Sequence, residues 1–142
     1  MKKILYTLVQ CTWGLPQTLV GAVVFLYLIR HRHFCYHSAI ATFWKNKTSA
    51  SLGMFLFLSE NYTSETLEKV TIHEYGHTIQ SLILGPLYLP VIALPSMLWC
   101  YIPFFRSLRE RRNISYYSFY TERSADILAG RIFSNHDTTI SL

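Results

Sequence analysis

Two long runs of this sequence carry no charge: 26 residues from Ile4 to Ile29 and 27 residues from Ile79 to Phe105. Whatever the chain folds into must give both of them an apolar surrounding. At 142 residues there is room for one small domain, not for a catalytic domain plus a regulatory one. Charged residues make up 15% of the chain, against roughly 25% in soluble domains, and 51% are hydrophobic. That balance excludes disorder, which needs low hydrophobicity and high charge. Together with 15% aromatics it points to contact with a membrane. The net charge of +5 is concentrated, but no basic stripe is interleaved with stacking aromatics, so nucleic acid is not expected as a partner.

The first run is interrupted by Gln10, Gly14, Pro16 and Gln17. As one helix it would reach about 39 Å, enough to span a bilayer with some tilt. Val20-Gly21-Ala22 has the small residues of a signal cleavage site, yet the apolar run continues to Ile29, where a mature chain should turn polar. Leu8-Val9-Gln10-Cys11 resembles a lipoprotein box only loosely, because Gln10 stands where a small residue is needed. An uncleaved anchor is therefore expected, transmembrane or membrane-embedded, with Arg30 and Arg32 as its basic collar. Residues 1–37 form this anchor and collar, and 38–142 form the core. Cys11, Cys35 and Cys100 give no disulfide framework, and read as buried or lipid-facing thiols. The Met-Lys-Lys start looks bacterial, so the sequons at Asn46, Asn61 and Asn113 read as chance.

Ser38 to Trp44 and Ser51 to Ser59 are short apolar segments around a polar middle, which suggests a hairpin. Met54 to Leu58 is too apolar for a strand washed by solvent. Thr63 or Ser64 can cap a helix running through His73 and His77 towards Gln80, with Glu65 in its first turn. The second uncharged run holds Pro86, Pro90, Pro95 and Pro103, which would break the hydrogen-bond ladder of a straight span repeatedly. A second basic collar follows from Arg106 to Arg112. Thr121 to Phe133 then reads as a last helix and His136 to Leu142 as a polar tail.

His73-Glu74-Tyr75-Gly76-His77 is an HExxH pattern. Residues four apart share a helix face, so both imidazoles can reach one ion, while Glu74 can touch a water upon it. An ion with an open position acidifies that water, and a carboxylate takes the proton. Three specified positions arise by chance in roughly one chain in a hundred, so a third ligand is required. After His77 the acidic residues are Glu110, Glu122, Asp126 and Asp137. Glu110 sits among arginines as their partner. Glu122 and Asp126 lie one helical turn apart, so one can bind the metal while the other holds a ligand histidine by its far nitrogen. An acidic residue favoured at a helix N-terminus is the competing explanation for Glu122.

HExxH followed by ExxxD resembles the gluzincin metallopeptidases. The wording His-Glu-Tyr-Gly-His with Glu122-Arg123-Ser124-Ala125-Asp126 is similar to their membrane-bound branch, the HtpX-type heat-shock proteases and the CAAX prenyl endopeptidase. His-Glu-Tyr-Gly-His-Thr-Ile-Gln-Ser, followed by Gly85-Pro86-Leu87-Tyr88, is also similar to small bacterial membrane proteins. The resemblance implies one zinc ion per chain on His73, His77 and Glu122, Glu74 as general base, and Asp126 behind a ligand histidine. It implies a minimal gluzincin core lacking most membrane helices of the larger proteases. Such an enzyme needs an edge strand to hold an extended substrate, here Ser51 to Ser59, and an oxyanion donor, for which Tyr116, Tyr117 and Tyr120 are nearest in sequence.

Zinc binding constrains topology. Had Ile79 to Phe105 crossed a membrane once, Glu122 would lie opposite the two histidines, so this stretch must return as a re-entrant or interfacial segment. If Ile4 to Ile29 spans once, both arginine collars lie inside and only Lys2 and Lys3 outside; alternatively both runs are half-buried hairpins. The expected fold is mainly α with a short β-hairpin or small antiparallel sheet, an α+β arrangement. The expected function is a metallopeptidase of the bacterial cytoplasmic membrane, cutting a membrane-proximal polypeptide on the cytoplasmic side. The alternative is an inactive, zinc-stabilised membrane scaffold.

Overall fold

The computed structural model describes residues 3–137. Lys2 and the end of the predicted tail, from Thr138, lie outside the described residues, as does the side chain of Asp137. Among the described residues six α-helices pack around a four-stranded sheet: α1 (Lys3–Thr12), α2 (Leu15–Tyr27), β1 (His33–Tyr36), β2 (Ala39–Trp44), β3 (Ala50–Leu52), β4 (Phe55–Ser59), α3 (Ser64–Leu84), α4 (Leu94–Tyr101), α5 (Pro103–Arg112) and α6 (Tyr120–Asp137). This is an α+β fold, mainly helical. The last helix continues four residues past the predicted end at Phe133, into the segment expected to be a polar tail.

The sheet is mixed rather than antiparallel, in the order β1-β2-β4-β3. The two apolar segments expected to form one hairpin, β2 and β4, instead run parallel, with Ile40 opposite Phe55 and Phe43 opposite Leu58. Two tight hairpins flank them, β1 with β2 and β3 with β4. The second turns at Gly53, whose positive φ of 61° suits a residue without Cβ. Its first strand is only three residues long, too short to stand out as a periodic pattern.

β4 is buried on both faces. Leu56 and Leu58 join Tyr6, Ala39, Ala41, Tyr75 and Ile79 on the side of α1 and α3. Phe55 and Phe57 pack with Leu28, Ala22 and Phe25 on the side of α2. Burial on two faces is why the run Met54 to Leu58 lacks alternation.

The N-terminal run is not one straight helix. α1 and α2 meet at a bend of 99°, and among the described residues no single helix is long and apolar enough to cross a membrane. The glutamines of the run bond to α3 and to the turn that follows it. Gln10 Nε2 donates to the Thr78 carbonyl at 3.0 Å and Gln10 Oε1 accepts from Ser81 Oγ at 2.9 Å. Gln17 Nε2 donates to Ser81 Oγ at 2.8 Å and to the Gly85 carbonyl at 3.0 Å. Both glutamines are fully buried, so the polar interruptions of the run face the protein. Ile4, Leu8, Val23 and Leu26 face outward. The expected boundary at 37/38 falls in the tight β1–β2 turn, where His37 has a φ of 51°. Helices α1 and α2 thus pack on α3 and on the sheet.

α3 is capped by Thr63, whose hydroxyl accepts from the Thr66 N–H at 3.4 Å. It is capped by Gly85, a short 3-10 turn runs to Leu87, and the chain bends by 119° at Tyr88 into a π-turn over Leu89–Ala93 that continues as α4. The Pro-rich run thus doubles back, with Pro90 and Pro95 each second in its element, in the first turn of the π-turn and of α4, where a missing N–H costs little.

Candidate metal centre

α3 and α6 cross where Gly76 meets Ala125: a Cβ on Gly76 would lie 2.2 Å from the Ala125 carbonyl oxygen. Each motif therefore contributes a small residue, three positions after its leading ligand, and the two helices close on each other there. The crossing brings His73 and His77 from α3 up to Glu122 from α6, all three buried. Glu122 Oε2 lies 3.1 Å from His73 Nε2 and 3.5 Å from His77 Nε2. Donors about 2.0–2.2 Å from a tetrahedral ion stand roughly 3.3–3.6 Å apart, so this spacing fits a metal ion. All the ligand atoms fall within 4.8 Å of one another.

The far nitrogens of both histidines are held. His73 Nδ1 is 2.6 Å from Asp126 Oδ1, and His77 Nδ1 donates to Gln80 Oε1 at 2.6 Å. Gln80 is fixed in turn by donating to the Thr121 carbonyl at 2.8 Å and to Ser124 Oγ at 2.7 Å. Both Nε2 atoms are thereby turned towards Glu122. Gln80 was not anticipated as part of the site, although its place three residues beyond His77 on one helix face is a usable signal. Ser96 and Thr121 were also missed; both donate to Glu122 Oε1, Thr121 at 3.1 Å. A lone serine in an apolar run carries no sequence signal.

The charges here perturb one another. Burial opposes a charged His73, but hydrogen bonding to Glu122 and the negative charge of Glu74 outweigh it, and its pKa rises to about 9. Burial also opposes ionised Glu122, yet hydrogen bonds from His73 and His77 hold its carboxyl well below the usual range. For Glu74, burial wins over the attraction of His77 and His73, and its pKa is raised. Among the described residues Glu74 Oε2 has no hydrogen-bond partner, which is costly for a buried carboxylate oxygen.

A cavity of about 440 Å³ opens beside the cluster, lined by Glu74, His77, Glu122, the edge strand β3, Tyr88 and apolar residues of α4. Of the segment expected to be the edge strand, Phe55–Ser59 is interior; the sheet edges are β1 and β3, and β3 is the one that lines the cavity. The three tyrosines part company. Tyr116 lines the cavity. Tyr117 packs edge-on against the His73 ring, with centroids 5.2 Å apart. Tyr120 is spent elsewhere, its hydroxyl donating to the Val91 carbonyl at 2.7 Å. Glu110 pairs with Arg106 at 3.3 Å, away from the cluster. The buried set His73, His77 and Glu122 can hold a metal ion, with Glu74 against the same cavity. No family model, no curated protein and no solved structure matches this chain.

Proposed function

We propose that this chain is a membrane-attached zinc metallopeptidase of gluzincin type, hydrolysing peptide bonds in membrane-proximal polypeptides. One observation carries the reading: a buried His-His-Glu set whose ligand atoms lie within 4.8 Å of one another, with an unpartnered oxygen of Glu74 beside it on the wall of a cavity. Two imidazoles and a carboxylate suit zinc, one ion per chain. Bound there, zinc would acidify a water and polarise the scissile carbonyl.

The residues divide the remaining work. His73 and His77 offer Nε2, because Asp126 and Gln80 hold their Nδ1 atoms. Glu74 takes a proton from the attacking water and delivers it to the leaving amine, and its raised pKa makes it a stronger base. An extended substrate would add as a strand at the outer edge of β3, displacing the Tyr88 hydroxyl that donates to the Ser51 carbonyl at 3.0 Å. Tyr116, kept protonated by burial, donates a hydrogen bond to the oxyanion. Membrane attachment is supported by outward apolar side chains on α1, α2 and α4, among them Val23, Leu26 and Met97. The two arginine collars favour a cytoplasmic face of a bacterial inner membrane.

The test compares purified wild type with Glu74→Gln for zinc content and for hydrolysis of an unfolded polypeptide such as casein. Wild type should hold about one zinc and cut; Glu74→Gln should keep the zinc and lose at least roughly a hundredfold in rate. Zinc-loaded wild type that cuts nothing would reduce the protein to a metal-stabilised scaffold.

A further inference from the structure

The Pro-rich run delivers a polar group to the metal centre. Ser96 follows Pro95 in the first turn of α4, and its hydroxyl donates to Glu122 Oε1. Thr121 Oγ1 donates to the same oxygen at 3.1 Å. The other oxygen, Oε2, faces the two histidines at 3.1 and 3.5 Å. The Glu122 carboxylate is thus divided, one oxygen committed to hydroxyls and one to the imidazole side.

We infer that Ser96 is a positioning residue that confines Glu122 to binding the ion through Oε2 alone and so keeps a coordination position open for water. This rests on the metal-centre reading above. A carboxylate free to rotate about its last bond can grip an ion with both oxygens, because that torsion is broad. A hydroxyl donating to ionised Oε1 opposes this, since swinging that oxygen to the metal would forfeit a charge-assisted bond. Thr121 adjoins Glu122 and holds that oxygen from within α6. Ser96 comes from a separate element, 26 residues away. α4 is itself pinned independently of Glu122: Trp99 Nε1 donates to the Tyr116 carbonyl at 3.1 Å, and Arg109 donates to the Trp99 carbonyl. Tyr120 fixes the preceding π-turn through Val91. The anchorage of Ser96 therefore does not depend on the ligand it orients.

The experiment uses the full chain, metal-stripped in detergent, loaded with cobalt(II) and separately titrated with zinc against a chelator. Ser96→Thr keeps a hydroxyl, whereas Ser96→Val has the same shape without one, so any cost of the extra methyl group is shared. Ser96→Val should bind zinc roughly 10–100-fold more weakly than Ser96→Thr, the range for lost partners of metal ligands. Its cobalt complex should show weaker visible bands, as expected when a second carboxylate oxygen raises the coordination number. Ser96→Thr should resemble wild type in both. Equal affinities and spectra for the two variants would overturn the role of Ser96 and leave the metal centre standing. Folded wild type that takes up neither cobalt nor zinc would overturn the centre, and this role with it.

Discussion

On the proposed reading, a proton and a metal ion compete for the place between His73, His77 and Glu122. In the metal-free chain His73 is protonated up to about pH 9, against about 6.5 for an unhindered imidazole. A pKa raised by folding stabilises the fold fully below the unfolded value, and that stability is lost as pH climbs through the folded value. Metal binding works in the opposite direction, because a ligand histidine must be neutral. Chelator-stripped protein should therefore lose stability between about pH 6.5 and 9, on the order of 3 kcal/mol at most. The zinc-loaded form should hold or gain in that window. Thermal melts across it, with and without chelator, check both signs; a flat metal-free profile would mean that the pair does not share a proton. What sequence offers at this scale is uneven. His73, His77, Glu122 and Asp126 announce themselves by spacing along helices, since 3.6-residue periodicity is local. Ser96 does not, because its partner is fixed only by how two distant segments pack.

At the scale of elements the centre depends on how closely α3 and α6 approach. Gly76 permits that approach: a Cβ there would meet the Ala125 backbone, which unlike a flexible side chain cannot swing aside. Gly76→Ala should cost roughly 1–3 kcal/mol by overpacking, and by pushing Glu122 away it should also weaken metal binding. Denaturant unfolding together with zinc titration tests this, and unchanged stability with unchanged affinity would mean that the crossing is looser than its geometry. An alanine at exposed Gly130, where an added Cβ meets nothing within 4 Å, is the matched control. The helices on either side of the crossing were legible from cap and motif. The sheet was less so: β2 and β4 pair in parallel only because the three-residue β3 intervenes, and a strand that short leaves no periodicity. The return of the Pro-rich run was legible by another route, since one ion cannot be shared across a bilayer.

At the scale of the whole molecule the N-terminal run inverts the usual rule, with its glutamines inside and much of its apolar surface outside. In water such a surface would drive association, whereas lipid would cover it without loss. The native thiols report which occurs. Cys11 is exposed on the face of α1 that also carries Ile4 and Leu8, while Cys35 is exposed on β1, three residues after the collar residue Arg32. If the outward face of α1 lies in lipid, a water-soluble maleimide applied to opened membrane vesicles should label Cys35 and spare Cys11 until the protein is denatured. Chains with Cys100 and one other cysteine replaced by serine isolate each signal. Labelling of Cys11 as fast as Cys35 in intact bilayers would place that face in water and remove membrane attachment from the proposed function. The metal centre would be untouched by that result, because its ligands are joined through α3 and α6 and not through the outer face of α1.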